Sequence, residues 1–532
     1  MKRLREFYTQ RIKRGLVRRL NNLKIASAAR EVARTEPKPS GAPVVFFKAS
    51  TGIDDLSWNA GFHLLASWAF RLQGIPVAYF ACHAGMSRCV LGTNRDDPHR
   101  EPPCKSCTHQ SRALYTGASP RWFRYQRDEK LAEAVAGLSV EEMMRFVWEG
   151  IPLGALSLPG LRWILRVHHL LDDEDTRFLY REYILSAWNV AREFESFLDQ
   201  TQPRAVLVFN GQFFPEATAR WVARKRGLRV ITHEVGLQPA SAFFTDGEAT
   251  AYPIHIPDEF ELNSDQNARL DAYLARRFQG DFTMAGIKFW ADMKGLDESF
   301  LRRAAEFKQI VPVFTNVIFD TSQPHANTVF EDMFDWLDMA LEVIRAHPET
   351  LFVIRAHPDE LRARKASRET VGGWVEARRA ADLPNVVYVA PNETLSSYEL
   401  IQKSKFVMVY NSTIGLEASI MGAPVLCAGK ARFTQYPTVF FPQTAKAIQE
   451  KMEEFLTAET IEVPPEFKRN ARRFLYYQLF RTSLPFGDFL DPSVRTTQTK
   501  LKSFALKDLV ESDAVKVITK GVTDGGDFLL KG

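Results

Sequence analysis

The chain has 532 residues, more than one hydrophobic core ordinarily serves, so two domains are expected and a single small module is excluded. With 45% hydrophobic and 25% charged residues, and 39 Phe, 10 Trp and 14 Tyr, it can bury a large core, which excludes a disordered chain. The net charge of +5 is uneven: residues 1–40 carry twelve Lys and Arg against three Asp and Glu, so the body is close to neutral. No apolar run approaches the ~18 residues of a membrane span and no compact apolar leader opens the chain, so a cytoplasmic protein is expected. Four of the five cysteines fall between Cys82 and Cys107, unlike the spread of a disulfide-stabilised secreted protein.

In chain order, Leu4, Phe7, Tyr8, Ile12, Leu16, Leu20 and Leu23 recur at three- and four-residue spacing among Arg and Lys, which predicts a basic amphipathic helix over 1–36. Two roles stay open for it: lying on an anionic membrane face, or docking on its own protein with a solvated basic face. A Pro/Ser/Gly linker at 35–43 leads to strand 44–48, helix 59–72 up to Gly74, and strand 77–82. Residues 120–200 read as mainly helical, with Trp163, Ile164, Val167, Leu170 and Leu171 on one apolar face. Strand 205–210, helix 215–226 and strand 229–233 repeat the plan. After a hinge at 282–307 it restarts: strand 310–315, helix 329–346, strand 351–355, helix 370–380, strand 386–389, helix 396–403, strand 406–410, helix 415–421 and strand 424–428. Strand–helix alternation gives parallel sheets with crossover helices, so the fold class is α/β: two Rossmann-like, doubly wound domains facing a cleft. Ligands of such sheets lie beyond the C-terminal strand ends.

Three strand-end loops of the second half hold groups suited to a phosphate-bearing ligand. They are Thr315–Asn316 with Asp320, the run Arg355-Ala356-His357-Pro358, and Asn411-Ser412-Thr413 leading into a helix at Gly415. A helix N-terminus offers free amides and a positive dipole end, so Ser412, Thr413 and the following N–H groups form a phosphate cradle, with Glu417 one turn on as an acceptor for ribose hydroxyls. The plain alternative is that Ser412 or Thr413 caps its helix and His357 is structural.

The runs FTNVIFD (314–320), FVIRAHPDELR (352–362) and, above all, VYNSTIGLEASIMGAPVLCAG (409–429) resemble the capsule polysaccharide biosynthesis proteins. The resemblance extends over about 310–485, including EFKRNARRFLYYQLFRTSL (466–484), and is weaker over 40–280, where it rests on CHAGMSRCVLG and PPCKSC. It implies the two-Rossmann glycosyltransferase fold called GT-B, a nucleotide-sugar donor that could be CMP-linked, and a crossing helix after 466. By that resemblance 41–285 is an acceptor domain with a Cys-rich insertion at 82–107, 286–465 the nucleotide-sugar domain, and 466–532 the crossing helix and tail. It also implies that His357 contacts the donor phosphate and that Ser412 and Thr413 contact phosphate or ribose; the donor sugar does not follow.

Sugar transfer needs stabilisation of the leaving nucleotide's charge and a base for the acceptor hydroxyl. Arg355, His357 and the 412–415 loop supply the first without a metal, and no Asp-x-Asp pair occurs in a suitable strand-end loop, so no catalytic metal is expected. The base is expected from the first domain: Asp54 or Asp55, which alternatively cap the next helix, or His233 with Glu234, which alternatively bind acceptor. Cys82, Cys89, Cys104 and Cys107 suit one structural Zn²⁺, with unligated thiols or a redox pair as the other readings. The leading reading is a glycosyltransferase acting on a capsule or other surface polysaccharide or its lipid anchor, peripheral at the inner face of the plasma membrane. Its partners are a nucleotide sugar, a glycan or glycolipid acceptor and an anionic membrane surface; no reader motif indicates nucleic acid. The alternatives are a sugar-nucleotide epimerase on the same fold and a non-catalytic assembly or export component that holds polysaccharide on exposed aromatics such as Trp58, Phe213 and Phe214.

Overall fold

β-Branched and aromatic runs set the strands, because such side chains fill a pleated surface that is covered on both faces. In the first sheet these are β1 (Val44–Lys48), β2 (Val77–Cys82), β3 (Arg121–Phe123), β4 (Ala205–Phe209), β5 (Arg229–Val235) and β6 (Ser241–Thr245). Their spatial order is β6-β5-β4-β1-β2-β3, and all neighbours are parallel except β5 and β6. Alternation along β1 sends Val45 and Phe47 into one layer with Phe80 and Phe194, and Val44 and Phe46 into the other with Phe62 and Phe70.

The computed structural model describes residues 2–532 apart from 51, 54, 279–282, 285–286, 289–294, 363–365 and 494–496; for 2–11, 283–284 and 287–288 it describes the backbone alone. Asp54 and much of the hinge expected at 282–307 therefore lie outside the described residues.

The second sheet is wholly parallel: β7 (Gln309–Phe314), β8 (Thr350–Arg355), β9 (Val386–Val389), β10 (Val407–Val409) and β11 (Val425–Cys427), in the order β9-β8-β7-β10-β11. Val311 and Val313 pack with Trp336 and Leu341 on one face, Ile310 and Phe314 with Leu416 and Phe474 on the other. The helix Pro465–Tyr476 continues as a wider turn to Arg481, after which Leu484–Pro485 pairs antiparallel with Ser241–Ala242 at the edge of the first sheet. Val515, Ile518 and Val522 of the helix Asp513–Asp524 then join the layer of Phe62 and Phe70, so the chain returns to its first domain. This is the two-Rossmann GT-B plan.

Two expectations change. Residues 153–165 are helical, but the helix stops at Arg166, which has φ 66°, so Leu170 and Leu171 lie beyond it and Leu171 is 72% exposed. The N-terminal helix Lys2–Thr35 uses a different stripe from the one counted in sequence: Asn21, Ile25, Ala29 and Val32 are buried against the body, whereas Ile12, Leu16, Leu20 and Leu23 are 57–66% exposed. Both stripes have helical spacing, and only the body decides which is covered.

Candidate active site

Numbered in chain order within each sheet, the parallel strands of both have the order 3-2-1-4-5, the first sheet adding antiparallel strands beyond its fifth, so each has one point where successive crossovers diverge. Loops at such a point splay apart and leave a crevice. In the first sheet it lies between β1 and β4, in the second between β7 and β10. Residues that follow these strands line a single cleft of about 940 Å³: Lys48, Ala49, Ser50, Asn210 and Phe213 from one side, and Asn316, Val317, Asp320, Asn411, Ser412 and Thr413 from the other.

On the second-domain wall the side-chain amide of Asn316 donates to Asn411 Oδ1, tying the two switch-point loops together. The helix Ile414–Met421 begins behind them with Thr413 at its N-cap, and no side-chain hydrogen bond closes that cap, so neither hydroxyl serves the plain capping role. Gly415 has a packing reason: a Cβ there would stand 2.9 Å from Val409 Cγ2 and 3.2 Å from Phe433 Cζ, so only glycine lets helix and strand approach this closely. His357 Nδ1 accepts from the amide of Asp359 at 3.1 Å, and burial holds the imidazole below its ordinary pKa. A neutral ring whose Nδ1 is an acceptor carries its proton on Nε2, which makes it a donor for a ligand in the cleft it lines. Arg362, Lys430 and Arg432 add cationic side chains to this wall, and the Arg432 guanidinium lies 3.8 Å from the centroid of the Tyr252 ring.

The first-domain wall carries carboxylates. Glu234 accepts from Asn59 Nδ2 and Asn210 Nδ2, both at 2.9 Å, and these two donors fix it at the cleft surface. Glu216, in the first turn of the helix Phe214–Lys225, and Lys48, at the end of β1, also line the cleft although each is buried. Burial pushes the Glu216 carboxyl up and the Lys48 ammonium down, with their mutual attraction opposing both shifts. The walls meet at His325, whose Nε2 is 2.8 Å from Thr250 Oγ1 and 3.3 Å from Gln212 Nε2.

Of the residues expected from sequence, Asn316, His357, Asn411, Ser412, Thr413 and Glu234 come together here. Others are placed differently. Thr315 is buried and donates to the Arg355 carbonyl at 2.9 Å. Arg355 is itself buried, burial lowers its pKa to about 10, and its guanidinium donates to the Leu395 carbonyl rather than facing the cleft. Pro358 opens a short 3-10 turn after His357 and does not line the cleft. Glu417 is not available to a ribose: it is 4% exposed, paired with Arg277 at 2.6 Å and accepting from the Tyr398 hydroxyl at 2.6 Å. His233 is fully buried, stacked on Phe244 and 3.3 Å from His63, with burial driving its pKa well down, and it lies behind the wall. Asp55 is buried, one oxygen accepts from the Leu56 amide at 2.9 Å, and Ser57 rather than Asp55 caps the helix Trp58–Leu72. Trp58, Phe213 and Phe214 are at most 8% exposed, which removes them as exposed glycan platforms.

The four cysteines line one small cavity of about 20 Å³ beside Ser50. Two of the thiols meet partners of their own: Cys82 Sγ accepts from the Gly85 amide at 3.2 Å, and Cys107 Sγ lies 3.9 Å from Ser50 Oγ. Burial pushes the Cys89 thiol up to about 12 and raises Cys82 and Cys104 as well. Among the described residues no three of the sulfurs lie within 4.8 Å of one another, wider than the ~4 Å that Zn–S bonds of about 2.3 Å impose.

Residues 290–461 match the capsule polysaccharide biosynthesis protein family. The matched segment spans β7 to β11 and thus every second-domain residue named in the cleft. No curated protein matches the chain. Solved structures similar to it include the beta Kdo 2,4 transferase of Thermosulfurimonas dismutans KpsC, at 11% identity over 58% of this chain and 87% of that one, with a TM-score of 0.36. The beta Kdo 2,7 transferase of the same protein aligns at 13% identity over 62% and 89%, TM-score 0.33. UDP-GlcNAc 2-epimerase from Neisseria meningitidis aligns at 12% identity over 82% and 99%, TM-score 0.23.

Sequence reading missed Lys48, Glu216, His325, Lys430 and Arg432. Lys430 and Arg432 carried a usable signal, since they directly follow a strand within the family-like run. Glu216 carried none, because an acidic residue in a first helical turn ordinarily serves the helix dipole.

Proposed function

We propose that this chain is a metal-independent glycosyltransferase that moves a sugar from a nucleotide donor, CMP-linked donors included, to a surface polysaccharide or its lipid anchor. The observation that carries this reading is one cleft in which the loop amides, Ser412, Thr413, His357, Lys430 and Arg432 of the second domain, with Asp320 and Asp359 among them, face Glu216 and Glu234 of the first, with Lys48 beside Glu216. The donor phosphate lies at the N-terminus of Ile414–Met421, held by the loop amides, Ser412 and Thr413, with His357 Nε2–H, Lys430 and Arg432 around it. These groups offset the charge that develops as the nucleotide leaves. The acceptor enters against the first domain. Glu216, whose burial makes it a stronger base than a solvated carboxylate, takes the hydroxyl proton as the sugar C–O bond forms. Glu234, oriented by Asn59 and Asn210, binds acceptor hydroxyls.

The N-terminal helix belongs to the same reading. Among the described residues no helix is long and apolar enough to cross a membrane. The exposed stripe Ile12–Leu23 among basic residues instead suits the cytoplasmic face of an anionic bilayer, where a lipid-linked acceptor would be found.

Purified protein is incubated with a panel of nucleotide sugars, and nucleotide release is followed with and without glycan acceptor. Acceptor-dependent release is expected, with kcat lowered at least 100-fold by Glu216→Gln, the order typical of a lost general base, and mainly KM raised by Glu234→Gln. His357→Ala is expected to weaken nucleotide binding while leaving the fold intact. Isomerisation of a nucleotide sugar without acceptor would select the epimerase instead, and unchanged kinetics in Glu216→Gln would remove it as base.

A further inference from the structure

After Arg166 the first domain extends a loop onto the second. There His169 Nε2 lies 2.9 Å and His168 Nε2 3.9 Å from the same atom, Asp332 Oδ2. The other oxygen of Asp332 is already used, accepting from the amides of Phe334 and Asp335 as the cap of the helix Met333–Ala346. His169 Nδ1 is 2.5 Å from Glu369 Oε1, and Glu369 Oε2 accepts from the amides of His168 and His169 at 2.8 and 3.1 Å. One donor atom from each of His168, His169 and Asp332 lies within 4.8 Å of the other two, the one such group of three or more among the described residues.

We infer that His168, His169 and Asp332 form a divalent transition-metal site that bridges the two domains, with Glu369 holding His169 from the outer shell. Two imidazoles and a carboxylate on one side of a point, with further positions open, are a donor set for zinc, cobalt or nickel. Bonds of about 2.0–2.1 Å put tetrahedral donor atoms roughly 3.3 Å apart, so the observed separations need only side-chain shifts of under about 1 Å. A carboxylate accepting from the far nitrogen of a ligating histidine holds Nε2 toward the metal, and Glu369 stands in that position; the proton that Nε2 shares with Asp332 Oδ2 is released when the ion takes its place. His169 is 58% exposed on its side chain, which gives an ion a way in. The charged groups around the point include Asp332 and Glu369, with Asp335 and Glu331 next to them, and the cation Arg162. None of these residues lines the cleft, so the ion is not a reactant; it pins one domain to the other.

The test titrates Co²⁺ into full-length protein freed of metal by chelator, read by calorimetry, visible absorption and thermal midpoint. The variants are His168→Ala and Asp332→Asn, the second keeping a residue that caps a helix as well as Asp does. Wild type is expected to bind one Co²⁺ more than either variant and to gain a rise in midpoint that both variants lose; the four cysteines, present in all three, cancel from the comparison. Glu369→Gln is expected to weaken that one site 10- to 100-fold, as outer-shell losses do. Equal stoichiometry and equal midpoint shifts in wild type and both variants, or no Co²⁺ bound by wild type, would overturn the site. A Glu369→Gln titration identical to wild type would remove the outer-shell role.

Discussion

Replacing Leu16 and Leu20 by alanine isolates the exposed stripe of the N-terminal helix. The two side chains are 57% and 66% exposed, whereas Ile25, Ala29 and Val32, on the docked face, are fully buried. Asn21 fastens that face, its Oδ1 accepting from the Leu501 amide at 2.9 Å. Burying a leucine completely is worth about 1.5–3 kcal/mol, so two leucines, each roughly six-tenths exposed, gain about 2–3 kcal/mol on entering lipid. Alanine keeps one methyl, leaving a loss of about 2 kcal/mol, or roughly 30-fold in partition coefficient. Alanine is also the best helix former, and neither leucine touches the core, so the unfolding midpoint should stay where it is. The assay is co-sedimentation with anionic vesicles at rising salt, where binding by both proteins falls as the Debye length shortens. Ile25→Ala is the opposite control: it should lower stability by about 2–4 kcal/mol through the cavity it leaves, with vesicle partition little changed. Unchanged partition in the double variant, or a large drop in its stability, would refute the reasoning, because the stripe would then be either idle or packed.

Glu417→Gln breaks a buried ion pair with Arg277, with side chains 5% and 12% exposed, and should cost about 3 kcal/mol in urea unfolding, since a stranded buried charge is expensive. Nucleotide affinity of the folded variant should not change, and loss of affinity at full stability would restore Glu417 to the ligand site. Glu360 is 2% exposed and burial raises its pKa to about 7, so the folded state resists an ionisation that the unfolded chain undergoes near 4.5. The cost appears as pH rises through that window, and Glu360→Gln should therefore stabilise the protein by up to about 3 kcal/mol at pH 8 and hardly at all at pH 4.5. A gain of the same size at both pH values would point to packing instead. A structural zinc held by Cys82, Cys89, Cys104 and Cys107 would require the sulfurs to close in from their described positions; wild type purified without chelator should then carry one zinc more than a Cys104→Ser/Cys107→Ser variant, and equal zinc contents would leave four free thiols.

The strand and helix periods were legible from residue order because period 2 and period 3.6 are local properties of the chain. So were the ends of β7 and β10, where apolar runs give way to Asn316 and to Asn411-Ser412-Thr413. Which side chains face the cleft was not. Arg355 stands at a strand end like Asn316, yet it leaves the sheet toward the Leu395 carbonyl, and Glu417 turns toward a helix 140 residues earlier in the chain. Lys48 and Glu216 meet only because β1 and β4 lie side by side at the switch point of the first sheet, and a pairing between distant strands leaves no mark on either segment. The same holds for His168 and His169, whose partners Asp332 and Glu369 come from the other domain. The N-terminal helix makes the limit plain. Its residue order supplies two apolar stripes of equal helical period, and the rest of the protein covers one of them because only that one fits the groove left by the strand Thr499–Leu501 and the helices Trp58–Leu72 and Cys104–Leu114.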